Sequence, residues 1–132
     1  MDYEDAFAAV PGVKVERCEK FGSYQGRLAA KLQVEGLDGP RYVFDYYGSC
    51  TGCDAFEGQF GYTWDRDPTP EELASFGRPY VDAALTLDEA LQALMPRPGQ
   101  WYDTEDKELL DRVLKDYPEK RMLVSLFPKG SA

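Results

Sequence analysis

The chain has 132 residues, with 24 acidic and 15 basic side chains, no histidine and a formal charge of −9. That length suits a single domain spanning residues 1–132, and a hydrophobic share of 43% with 14% aromatics excludes wholesale disorder. The missing histidines exclude Ser-His-Asp and Cys-His catalysis and any histidine metal site, while a pI near 4.5 argues against direct binding to nucleic acid or to an anionic membrane.

A weak helical pattern over residues 3–10 stops at Pro11-Gly12. Val13-Lys14-Val15-Glu16-Arg17 alternates apolar and polar, which predicts a half-buried strand running towards Phe21. Turn residues Gly22-Ser23-Tyr24-Gln25-Gly26 precede the clearest strand. There Leu28, Ala30, Leu32 and Val34 share one face against Arg27, Lys31, Gln33 and Glu35 on the other. After Gly36-Leu37-Asp38-Gly39-Pro40, a third strand runs through Tyr42-Val43-Phe44-Asp45-Tyr46-Tyr47, with an aromatic face of Tyr42, Phe44 and Tyr46. The short connections predict an antiparallel meander.

Beyond residue 68 the period changes from two to that of a helix. Thr69-Pro70-Glu71-Glu72 is a capping box with proline at the first helical position, and Gly77 reads as the stop. Thr86-Leu87-Asp88-Glu89 repeats the signature, opening a helix with Leu87, Ala90, Leu91 and Leu94 on one side, ended before Pro96. Thr104 caps a third helix bearing Leu110, Val113, Leu114 and Tyr117, ended at Pro118. Arg121-Met122-Leu123-Val124-Ser125-Leu126-Phe127 reads as a strand returning to the sheet. A meander followed by about three helices is the α+β pattern. No stretch reaches the roughly 18 apolar residues of a membrane span, and the acidic start Met1-Asp2-Tyr3-Glu4-Asp5 is unlike a signal peptide, so a cytoplasmic protein is expected. Isoleucine and asparagine, both with A/T-rich codons, do not occur, which fits a G+C-rich genome.

Negative charge gathers in the helical part, and the C-terminal residues carry only Lys120, Arg121 and Lys129. Such a surface serves as a solvated exterior or as a docking face for a basic partner surface.

Gly48-Ser49-Cys50-Thr51-Gly52-Cys53-Asp54 is the most unusual stretch. Its Cys-X-X-Cys follows a strand and precedes a capping box, Asp54-Ala55-Phe56-Glu57, so the thiols sit just outside a helix N-terminus. The helix dipole lowers a nearby thiol's pKa, and Asp54 opposes it. Three uses compete: a redox pair, a structural zinc site, and a tight loop of small residues packed on the sheet. Zinc needs four ligands. This chain offers Cys50, Cys53 and Cys18, with Asp54 or Asp45 as a carboxylate, and the single pair points to no metal or cofactor. Cys18 falls in parity with Lys14, Glu16 and Lys20 on the polar side of its strand unless a bulge reverses the register.

Asp65-Arg66-Asp67 after Trp64, and Asp103-Thr104-Glu105-Asp106 after Trp101-Tyr102, combine acids with aromatics. Paired carboxylates serve hydrolysis or magnesium binding only where they converge in space, and helix starts attract acids in any case. Aromatics beside acids also form protein-binding surfaces.

Phe21-Gly22-Ser23-Tyr24-Gln25-Gly26, followed after a strand by Tyr47-Gly48-Ser49-Cys50-Thr51-Gly52-Cys53-Asp54-Ala55-Phe56, resembles a group of small uncharacterised bacteriophage and bacterial proteins. These pair a Ser-Tyr-Gln-Gly segment with a Gly-Ser-Cys-Ser-Gly-Cys-Asp segment; here Thr51 replaces the second serine. The resemblance covers about residues 21–57. It implies a phage origin and carries no catalytic role onto Tyr24, Gln25, Cys50, Cys53 or Asp54. By analogy with small acidic phage proteins, the expected function is non-enzymatic: binding and modulating a host protein machine such as RNA polymerase or a nuclease or defence complex. Trp101, Tyr102, Asp103, Glu105, Asp106, Glu108 and Asp111 are the expected contacts with its basic surface. The alternative is a thiol protein using Cys50 and Cys53.

Overall fold

The computed structural model describes residues 2–22, 26–48, 54–61, 66–94 and 104–115, with side chains from Lys107 onward in the last segment. The elements are α1 (Tyr3–Ala9), β1 (Val13–Gly22), β2 (Gly26–Val34), β3 (Arg41–Tyr47), α2 (Ala55–Phe60), α3 (Pro70–Asp82), α4 (Leu87–Leu94) and α5 (Thr104–Lys115). The expected α+β architecture is present as an antiparallel meander ordered β1-β2-β3 together with helices. The strand expected over residues 121–127 lies outside the described residues. Among the described residues no helix is long and apolar enough to cross a membrane.

The chain divides into two compact units, Met1–Thr86 and Leu87–Ala132. In the first, β2 supplies the floor of the core, and its alternation is the one read from the sequence: Leu28, Ala30 and Leu32 are buried. Cross-strand pairing puts Ala30 opposite Val43 and Gly26 opposite Tyr47, so Val43 and Tyr47 share that face. Tyr42, Phe44 and Tyr46 lie on the other one, where Tyr42 and Phe44 stack and Tyr46 is 64% exposed. Above the floor sit Tyr3, Ala6 and Phe7 of α1 with its C-cap Val10, Phe56 and Phe60 of α2, and Leu73 and Val81 of α3. Each fully buried Leu or Phe contributes roughly 1.5–3 kcal/mol. The rings interlock: Phe56 lies 4.9 Å from Phe60 and 5.4 Å edge-on to Phe76, and Tyr3 lies 5.6 Å from Phe56.

Two local readings are corrected. Gly77 does not stop α3, which runs on through Pro79 to Asp82. It is buried against α1, where a Cβ would run into the Ala6 carbonyl oxygen. The glycine is there for close helix approach, not termination. Pro79 lies in the last turn of α3, and Ala83 closes the helix by donating to the Pro79 carbonyl at 3.1 Å. The second correction concerns β1. A bulge between Val15 and Arg17 places Cys18 opposite Ala30 and Lys20 opposite Leu28, on the core side. Glu16 stays on the opposite face, accepting from Gln33 at 2.6 Å and pairing with Lys31 at 3.3 Å. Cys18 is therefore half-buried against the core rather than on the polar side of its strand.

In the second unit, α4 buries Ala90, Leu91 and Leu94, and α5 buries Leu109, Leu110, Val113 and Leu114. Of the anticipated stripes, Leu87 is only half-buried and Tyr117 lies outside the described residues, Leu109 is added, and α4 packs on α5.

Candidate functional site

The cysteine loop is bounded by residues the structure describes, although Cys50 and Cys53 themselves lie outside them. β3 ends at Tyr47, and the Gly48 N–H donates to Asp54 Oδ2 at 2.9 Å. The other oxygen, Oδ1, accepts from the Phe56 N–H at 2.9 Å, the Glu57 N–H at 3.1 Å and the Tyr3 hydroxyl at 2.9 Å. One buried carboxylate thus caps α2, fastens the helix to α1 and draws the two ends of residues 48–54 together. The Asp54 half of the anticipated capping box forms, while Glu57 lies exposed.

Burial pushes the Asp54 pKa up, but the amide donors of Gly48, Glu57 and Phe56 and the Tyr3 hydroxyl outweigh it, and the net pKa is lowered. Asp54 is a fixed anion whose lone pairs are taken up by donors, which suits it neither to proton transfer nor to metal ligation. Tyr3 is shifted upward, first by burial and then by its bond to Asp54, so the phenol stays a donor. Asp45, the other carboxylate considered for a metal, takes the Tyr80 hydroxyl. Burial and the nearby Glu4 and Asp2 push the Cys18 thiol up to about 12, which keeps it protonated and unreactive near neutrality. Among the described residues no group of three Cys, Asp or Glu side chains is placed to hold a metal ion.

The remaining sequence candidates are scattered. Trp101, Tyr102 and Asp103 lie outside the described residues, as do Trp64 and Asp65; Glu105 and Asp106 belong to the first turns of α5. Glu108 and Asp111 are exposed one turn apart on α5, among the exposed Lys107, Arg112 and Lys115. Asp67 is exposed, and neighbouring Arg66 reaches Glu72 at 2.7 Å. The bond to Arg66 and those to Thr69 lower the Glu72 pKa to about 2, so Asp65-Arg66-Asp67 leads into a helix cap.

Sequence reasoning missed Tyr3, which it took only as the start of a weak helix. Its signal is indirect: a tyrosine among apolar helix positions needs a partner for its hydroxyl once buried. The outer edge of β3, which meets only Leu85 among the described residues, was also missed, because a single-residue bridge leaves no strand period in the sequence. No protein-family model matches the chain, and no curated protein or solved structure matches it either.

Proposed function

We propose that the chain is a non-enzymatic protein of phage type that binds and modulates, by inhibition, a host protein machine presenting a basic surface. The reading is carried by the charge distribution over the helices. α1 bears Glu4 and Asp5, α2 bears Glu57, and α3 bears Glu71, Glu72 and Asp82 with the single cation Arg78; α4 adds Asp88 and Glu89. Predominantly acidic helices of this kind accelerate encounter with a basic partner and make the complex salt-sensitive, although on α5 the acids are interspersed with Lys107, Arg112 and Lys115. Glu108 and Asp111, with Trp101, Tyr102, Asp103, Glu105 and Asp106, are the contacts proposed on and before α5.

The test is capture from a host-like bacterial lysate with elution by rising salt. One dominant partner released at moderate salt is expected. Glu108→Lys with Asp111→Lys should weaken its capture and flatten the salt dependence; unchanged affinity would remove this interface.

A thiol function at Cys50 and Cys53 is the second reading, favoured by the fixed base that Gly48 and Asp54 give to the loop. Thiol counting with and without a chelator decides it. The folded chain should show two fast thiols and a slow Cys18, and a fast pair that appears only after chelation would mark zinc.

A further inference from the structure

The two outer edges of the sheet differ in chemistry. β1 carries Lys14, Glu16, Arg17, Glu19 and Lys20 and is kinked by its bulge, the means by which sheets prevent a further strand from adding. β3 is regular and richly aromatic. Its outer lane is already begun: Tyr42 and Leu85 exchange both main-chain hydrogen bonds at 2.8 Å. Main-chain groups alternate sides along an antiparallel strand, so Phe44 and Tyr46 direct their N–H and C=O groups the same way as Tyr42. Among the described residues neither meets a main-chain partner on that side. The chain before Leu85 cannot provide one, since Ala83 is the cap of α3. Beside this vacant lane lies an open apolar groove of about 340 Å³, lined by Phe44, Tyr80, Ala83, Ala84 and Leu85 among others. Asp82, exposed next to Ala83, has no ion pair among the described residues.

We propose that the outer edge of β3 binds an extended peptide segment of a partner protein. The segment adds as a strand in line with Leu85, takes the main-chain groups of Phe44 and Tyr46, seats an apolar side chain in the groove and sets a lysine or arginine against Asp82. The main chain requires a strand, the groove an apolar residue at alternate positions, and Asp82 a cation. The inference rests on the reading of the chain as a protein-binding protein and states how part of the partner is held.

The experiment selects a displayed library of random peptides, about twelve residues long and so ample for one strand, against the full chain, and synthesises those enriched. Peptides with alternate apolar residues beside a lysine or arginine are expected. Their binding should slow hydrogen exchange at the Phe44 and Tyr46 amides by about tenfold or more. N-methylation of every second peptide amide should weaken binding by about tenfold or more, with no change to the protein itself. Asp82→Lys should weaken it by about threefold at low salt.

The proposal is overturned if no peptide is enriched, if enriched peptides leave those two amides exchanging at the free rate, or if N-methylation has no effect. It is also overturned if the free chain already protects both amides by self-association, or if only a chain ended at Pro118 binds. The host-binding reading fails separately, through the lysate partner and the α5 charge variants, neither of which depends on these amides.

Discussion

Asp2 and Asp54 hold the same local position, each an extended residue whose carboxylate caps the helix that follows. Asp2 is partly exposed, accepts from the Tyr3 N–H at 2.7 Å, exchanges a capping box with Asp5 and pairs with Lys20 at 2.6 Å. Asp54 is 6% exposed and collects its donors from three parts of the chain: the end of β3, α1 and its own helix. Water can replace what Asp2 does. Water cannot readily replace what Asp54 does, because the Tyr3 hydroxyl and the Phe56 N–H that it accepts from are buried. A helix cap's weight therefore comes from its burial and the distance its donors span, more than from its residue type.

The largest test of that contrast is Asp54→Ala, which should destabilise the fold by about 3 kcal/mol, read as a drop in the urea midpoint. Acid should reproduce part of the loss. The folded pKa of Asp54 lies below its unfolded value, so its contribution is fully present above the ordinary carboxylate range and is lost as pH falls through the folded value. The stability gap between the wild-type chain and Asp54→Asn should accordingly narrow as pH drops below about 4.

Gly77→Ala comes next. It leaves every cap intact but pushes a methyl group against the Ala6 carbonyl of α1, and a cost of about 2 kcal/mol is expected. A neutral outcome would show that α1 is not held as closely on α3 as described. Tyr3→Phe keeps the buried ring and removes only the hydroxyl bridge to Asp54. Thermal unfolding should report a loss of about 1.5 kcal/mol, the scale of a hydrogen bond to a charged group. Asp2→Ala should cost least, about 0.5–1 kcal/mol, and the difference should shrink in high salt as Lys20 loses its attraction. Should Asp2→Ala cost as much as Asp54→Ala, burial would not be what separates the two caps.

How much of this was legible follows from the range of the interactions. The β2 alternation of Leu28, Ala30 and Leu32 needs one buried face and nothing more, and the Thr69–Glu72 box closes over three residues, so both stood in the sequence. Gly77 was misread because a glycine before a helical stop and a glycine under a crossing helix look identical until Ala6 is in place. The side Cys18 faces stayed conditional in the sequence because a bulge shifts parity by one residue, and its strand's period shows no break.

The candidate site divides along the same line. Cys-X-X-Cys and the Asp54 cap are local and could be read, but Tyr3 lies 51 residues from Asp54 and only the packing of α1 over α2 joins them. The edge of β3 likewise exists only because Leu85 starts a lane beside Tyr42 and then leaves it. By itself the sequence determined the meander, most of the helix starts, the acidic charge and the absence of histidine chemistry, since each depends on neighbours within a turn or a strand. The tertiary structure alone decided which carboxylate is buried, which glycine is a contact and, among the described residues, where β3 meets Leu85. Those properties belong to distant residues brought together, and no local period encodes them.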